Sequence, residues 1–336
     1  MKAMVIGDTK IPAGKRTRLE MPVAKLYTDT DVCLPVEVIR SRKDGPTVFV
    51  SAAIHGDELN GIEIIRRLIQ LKTLRISCGT LILVPMVNVY GVLNQSRYMP
   101  DRRDLNRSFP GSEKGSLAGR VANIFLDEIV SHCDYGIDLH TGAIHRSNLP
   151  QIRANLQDEE TAHLAEAFGV PVLLNSTLRD GSLRQAATEK GCKVLLYEAG
   201  QALRFDELSV RAGVRGITNV LAELGMMRRR SRRKNQVVPF RANHSSWVRA
   251  NASGVVRTIR HLGDKVAKNQ PLADIGDPFG EIIDTVRADK GGIIIGKQNI
   301  PLVQEGDAMY HIAFFNESNE SVAENIETMQ ETLLPE

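Results

Sequence analysis

The sequence predicts an α/β fold in which a mostly parallel or mixed central sheet is flanked by helices, followed by a smaller C-terminal all-β domain. From Thr47 to about residue 224, short apolar runs alternate with segments of helical spacing, the pattern of a sheet covered on both faces. From about residue 236 to 315, valines, isoleucines and glycines fall in short runs with turns at regular intervals, the pattern of an all-β module. A chain of 336 residues has room for both.

Residues 1–44 hold short alternating segments such as Leu26-Tyr27 and Val36-Glu37-Val38-Ile39-Arg40, which suit edge strands joining the main domain at 45–227. The stretch Thr47–Ile54 is apolar enough for a buried strand. Glu58–Leu71 then spaces Ile62, Ile65, Leu68 and Ile69 as a helix does. Thr80–Val87, Asp134–Leu139 and Lys193–Tyr197 are further strands, and Leu117–Ser131, Glu159–Phe168 and Asp206–Leu224 are helices. A basic block beginning at Arg228 reads as a solvated linker over 228–235. The β-rich domain, 236–315, is marked by runs at Gly254-Val255-Val256, Gly263-Asp264-Lys265-Val266 and Gly292-Ile293-Ile294-Ile295. The acidic tail, 316–336, lacks a strong period and reads as a frayed helix or a disordered segment.

Composition narrows the function classes. With 42% hydrophobic and 25% charged residues, and no apolar run of the roughly 18 residues a membrane helix needs, no membrane association is expected. The formal charge is only +3, and its one basic block carries no interleaved aromatics, so no nucleic-acid partner is expected either. The opening residues Met1–Asp8 lose their apolar character within a few positions, which argues against a signal peptide and for the cytoplasm. Cys33, Cys78, Cys133 and Cys192 form no C-x-x-C pair and read as buried core residues. Homo-oligomerisation is left open.

Four expected strands run into polar residues: Ile54 into His55, Val87 into Asn88, Leu139 into His140 and Tyr197 into Glu198. Ligands of open α/β sheets bind beyond the carboxyl ends of strands, so one sheet would gather these groups at one rim. In His55-Gly56-Asp57-Glu58 an imidazole and a carboxylate stand three residues apart, with Gly56 available for a sharp bend. With His140 of Asp138-Leu139-His140-Thr141-Gly142 they make a two-histidine, one-glutamate set, the zinc donors of carboxypeptidase A. The loop Asp104-Leu105-Asn106-Arg107, in a cationic stretch with Arg97, Arg102 and Arg103, suits recognition of an anionic substrate. Glu198, at a strand end among apolar residues, is a candidate general base.

His55–Glu58, Asp104–Arg107, Asp138–Thr141 and Glu198-Ala199-Gly200, in this order, resemble the succinylglutamate desuccinylase/aspartoacylase family of the zinc carboxypeptidase superfamily, over about residues 45–225. The resemblance implies a zinc-carboxypeptidase-like fold and one Zn2+ per chain held by His55, Glu58 and His140, with Glu198 as the base. It implies that Asn106 and Arg107 hold a substrate carboxylate, that Arg97 polarises the scissile carbonyl with Arg102 as a rival, and that Asp104 orients a ligand histidine. The family's late tyrosine has no motif match; Tyr310 stands in the right region by position alone.

The function expected is hydrolysis of the amide bond of a small anionic N-acyl amino acid or related acyl amine. A peptide-cleaving metallocarboxypeptidase is the alternative within the fold, and a non-catalytic carrier or binding protein the alternative outside it. The glycine-rich turns of the β region resemble biotinyl/lipoyl barrel-sandwich domains. Lys290, in Ala288-Asp289-Lys290-Gly291-Gly292, precedes a strand rather than sitting at a hairpin tip, which favours an unmodified turn residue.

Overall fold

A computed structural model of the chain describes residues 3–228 and 237–334, so the expected basic linker, Arg228 apart, lies outside the described residues. The fold is mixed α/β, built on one large sheet. Among the described residues it has twelve strands in the order Lys265–Val266, Gly292–Gln298, Ala308–Phe315, Phe240–Arg249, Val172–Asn175, Arg146–Ala154, Lys193–Gln201, Tyr135–Gly142, Thr47–Ala52, Thr80–Val84, Asp31–Arg40 and Arg16–Lys25. Four of these, from Lys193–Gln201 to Thr80–Val84, are mutually parallel, and antiparallel strands join them on both sides.

The central strands are apolar because helices cover both their faces. Thr80–Val84 is buried at every position. On one face, helices Leu117–Glu128 and Leu183–Glu189 pack Val121, Phe125 and Leu183 into a core with Phe49 and Ile82. On the other, helices Asn60–Gln70, Glu159–Phe168 and Glu207–Glu223 pack Ile65, Leu68, Phe168 and Ile217 against Val48, Val50 and Leu139. Each such side chain contributes about 1.5–3 kcal/mol when fully buried.

Helix Asn60–Gln70 matters most, because it starts just after Glu58. Its buried stripe is Gly61, Ile64, Ile65 and Leu68, so it runs through Ile64 instead of the Ile62 chosen from spacing. Gly61 is the reason: a Cβ there would lie 2.6 Å from Ala52 Cβ and 2.8 Å from Leu139 Cβ. With Gly61 pressed on the sheet, positions three, four and seven further on face inward. Only glycine permits this approach, and it draws the start of the helix down onto the strand that carries His140.

Strands Arg146–Ala154 and Val172–Asn175 and helix Leu183–Glu189 have no counterpart in the sequence reading. The first contains two arginines, Asn148, Pro150 and Gln151, and so lacks the apolar run of a buried strand. The N-terminal segments also differ from expectation: Leu26 lies in the turn of a hairpin, and Asp31–Arg40 is the inner strand of that hairpin, with Arg16–Lys25 at the sheet edge.

The region from Phe240 to Phe315 is all β, yet it is continuous with the large sheet. Phe240–Arg249 pairs in parallel with Val172–Asn175, and Gly292–Gln298 pairs with both Ala308–Phe315 and Arg146–Ala154. A four-stranded sheet, ordered Ile282–Arg287, Pro271–Gly276, Gly254–Thr258, Leu302–Val303, contributes to a third core with Leu272, Ile275, Ile294 and Tyr310. Lys290 lies in the turn after Ile282–Arg287, its Nζ 5.8 Å from the Phe314 ring centroid. The acidic tail forms helix Asn319–Leu333, which buries Val322, Ile326 and Met329. That stripe, at i, i+4 and i+7, is narrow enough to be hidden among the surrounding glutamates. Cys133 and Cys192 are buried as expected, whereas Cys33 and Cys78 are only partly so. None of the helices is long and apolar enough to cross a membrane, among the described residues.

Candidate active site

His55 leaves strand Thr47–Ala52 through a turn in which Ala53 takes a left-handed φ of 53°. Gly56 was expected to supply that bend, but it serves a different purpose: a Cβ on Gly56 would lie 1.9 Å from the backbone carbon of Gly91. Asn88 does not reach the rim. It is fully buried, accepts from Gly91 N at 2.7 Å and donates to Ile54 O and Arg97 O, so it fastens the loop that carries Arg97. His140 and Glu198 lie within their strands rather than at the ends, as register partners on Tyr135–Gly142 and Lys193–Gln201.

Glu58 lies between the two histidines. Its Oε1 is 2.8 Å from His55 Nδ1 and its Oε2 is 2.8 Å from His140 Nδ1. The three residues are buried, and a donor atom from each lies within 4.8 Å of the others. The far nitrogens are engaged elsewhere: His55 Nε2 is 3.1 Å from Asp104 Oδ1, and His140 Nε2 is 2.7 Å from Asp138 Oδ2. Asp138 is itself held by the Ser51 hydroxyl, which donates to Oδ1 at 2.7 Å. Both imidazoles thus have an orienting carboxylate on Nε2 and present Nδ1 to one point, the arrangement of metal-binding histidines.

Electrostatics agree with a cation site. Burial works against protonation of both rings, but Glu58 with Asp104, and Asp138 with Glu58, outweigh it and push His55 and His140 above the ordinary histidine value. Burial would likewise raise Glu58, yet the two histidines hold its carboxyl well below the usual range. Positive charge is therefore what makes this buried carboxylate tenable. A divalent ion would meet the same need, and the His55, Glu58, His140 donor set fits one.

Arg97 closes one side of the cluster, donating to Glu58 Oε1 at 3.2 Å and Asp104 Oδ2 at 3.0 Å with 28% of its side chain exposed. Arg102 is exposed in a turn with φ 62°, and neither it nor Arg103 lines the cavity that opens over the cluster. Asn106 and Arg107 do line it. The Asn106 amide oxygen accepts from Leu183 N at 2.9 Å, so what this residue offers the cavity is its Nδ2–H donor. Glu198 lies on the cavity wall, but beside a cation and not among apolar groups: Arg153 Nε is 2.7 Å from its Oε2, without hydrogen-bond alignment. Tyr310 is buried in the β core, where its hydroxyl donates to Leu272 O, and it lies outside the cavity lining.

The cavity, about 270 Å³, has further walls that carry no sequence motif. Arg146, Arg153, Arg179 and Arg184 join Arg97 and Arg107, and Trp247 enters from the C-terminal β region. His311 stacks on Trp247 at 4.7 Å and 8°, and Arg146 lies 5.3 Å from the same ring. Burial, with Arg153 and Arg179 nearby, pulls the Arg184 guanidinium down to about 10. Six guanidiniums against the carboxylates of Glu58, Asp138 and Glu198 leave the lining short of negative charge, which an anionic ligand would restore.

Residues 44–224 match the model of the succinylglutamate desuccinylase/aspartoacylase catalytic domain. An N-alpha-acetyl-L-2,4-diaminobutyric acid deacetylase of Halomonas elongata is 28% identical over 85% of this chain and 87% of its own length. A succinylglutamate desuccinylase of Pseudomonas aeruginosa is 29% identical over 57% of this chain and 62% of its own. Among solved structures, the product-bound ectoine utilization protein of Ruegeria pomeroyi superposes with a TM-score of 0.80 at 24% identity, covering 90% of this chain and 97% of that one, a likeness of fold. A succinylglutamate desuccinylase/aspartoacylase of Rhodobacter sphaeroides gives 0.77 at 25%, covering 89% and 96%. On the family match, which spans more than half of the sequence, the chain belongs to the succinylglutamate desuccinylase/aspartoacylase family of acyl-amino acid hydrolases.

Proposed function

We propose that the chain is a zinc-dependent deacylase that hydrolyses the amide bond of a small anionic N-acyl amino acid or related acyl amine, on a zinc-carboxypeptidase-like scaffold. The observation that carries this reading is the convergence of His55 Nδ1, Glu58 and His140 Nδ1, each histidine backed by an aspartate, at the mouth of an arginine-lined cavity. Zinc bound there supplies Lewis acidity at the scissile carbonyl.

The chain's own residues supply the rest. Glu198 takes the proton from the attacking water and returns it to the leaving amine. Arg97, fixed by Glu58 and Asp104, directs its remaining donors at the oxyanion as the carbonyl becomes tetrahedral. Asn106 Nδ2–H and the Arg107 fork hold the substrate carboxylate. Arg107 also donates to its neighbour's carbonyl, Asn106 O, at 2.5 Å, which limits the directions in which the fork can turn. The free thiols Cys33, Cys78, Cys133 and Cys192 suit a reducing compartment, the cytoplasm.

The test is release of free amine from a panel of N-acyl amino acids, with short peptides in parallel, by zinc-loaded and chelator-treated protein. Turnover of acyl amino acids that disappears on chelation and returns with zinc supports the reading. Cleavage of peptides alone would make the chain a metallocarboxypeptidase.

A further inference from the structure

Gln151 is the buried group for which the site gives no account. It is wholly inaccessible, and among the described residues neither its Oε1 nor its Nε2 has a hydrogen-bond partner. A primary amide in that condition has lost its hydration without compensation. Its place in the sheet supplies a reason for it. His140, Glu198, Gln151 and Val172 form one row across four strands, each the register partner of the next. Partners across strands share a face, with Cβ atoms about 4.5–5.5 Å apart. Gln151 therefore flanks Glu198 on the side away from His140, and Val172 beyond it belongs to an apolar core with Leu149 and Leu174. In the adjacent row, Asp138, Leu196, Arg153 and Leu174 are partners in the same way. Glu198 Oε2 is thus buried next to a guanidinium that approaches it out of alignment and beside an amide that bonds nothing.

We propose that Gln151 is a positioning residue for Glu198, an inference that rests on the reading of Glu198 as the base. The Gln151 Nε2–H donates to Glu198 Oε2, which turns Oε1 toward the His140 side, where water is deprotonated. Arg153 is then free to direct its donors into the cavity. Packing alone would favour an apolar side chain of the same length here, given Val172 next to it.

The test compares Gln151→Leu and Gln151→Met with Glu198→Gln and with the Gln151→Leu/Glu198→Gln double variant, in the full chain. Losing an orienting partner of a catalytic group costs roughly 10- to 100-fold, so both Gln151 variants should lose that much kcat. KM should stay within about twofold, and the melting temperature should change little, because the buried amide oxygen removed with Gln151 has no partner to lose. In the Glu198→Gln background, Gln151→Leu should have no further effect, since the group it orients can no longer act. Near-normal kcat in both Gln151 variants, effects that multiply in the double variant, or a kcat loss that tracks a fall in melting temperature would each overturn the proposal. If Glu198→Gln itself keeps full kcat, the reading of Glu198 as the base fails, and this role with it.

Discussion

Arg153 and Glu198 meet diagonally across neighbouring antiparallel strands, with Nε and Oε2 2.7 Å apart and the N–H directed elsewhere. A carboxylate held in a well-aligned, bidentate guanidinium pair is a poor base, because its lone pairs are occupied. The misaligned contact leaves Glu198 Oε2 without a hydrogen bond, which suits the proposed base.

Glu198→Gln should therefore lower kcat by roughly 10²- to 10⁴-fold while zinc content and the binding of a substrate analogue change little. Elemental analysis beside steady-state kinetics reads both. Loss of zinc together with activity would make Glu198 a ligand or a structural group.

His55→Ala and His140→Ala should each abolish metal binding and activity together, against about one zinc per chain in the unmodified protein. Each change also leaves Asp104 or Asp138 without its histidine partner. Full zinc occupancy after either substitution would overturn the ligand assignment.

Arg107→Ala should chiefly raise KM, because the carboxylate it is proposed to hold is present in ground and transition states alike. An amidated substrate turned over by the unmodified chain as well as the free acid would show that the anchor is misassigned.

His311 gives a pH prediction. Burial, reinforced by Arg153 and His244, pushes its imidazole down to about 3. The folded chain thus binds this proton more weakly than the unfolded chain, so its contribution to stability is complete above the ordinary histidine value and is lost as pH falls from there toward 3. The slope from one such group is at most about 1.4 kcal/mol per pH unit. His311→Phe, which keeps a ring against Trp247, should flatten the dependence of unfolding free energy on pH between about 6.5 and 4.5. Denaturant melts at several pH values measure it; an unchanged slope would place the titration elsewhere.

The cluster of His55, Glu58 and His140 was legible in the sequence because few residue types bind zinc and these follow apolar strands in short motifs. His55, Glu58 and His140 need only the strand pattern to be brought together. Arg146 and Arg153 could not be found this way, because their strand is polar on the side that faces the cavity and so lacks the usual pattern. Trp247 was out of reach for another reason: it enters the site through pairing of Phe240–Arg249 with Val172–Asn175, a contact that local periodicity does not encode. Gly56 shows the limit within a motif, since the need for glycine there comes from Gly91, far along the chain.

The pairing of Phe240–Arg249 with Ala308–Phe315 also orders events in time. Trp247 stacks on His311, so the aromatic wall of the cavity exists only once residues far downstream have been synthesised and have paired. A nascent chain can carry His55, Glu58 and His140 in a finished parallel core while the wall opposite them is still missing. The proposed metal donors can therefore be assembled before the aromatic wall as the chain emerges.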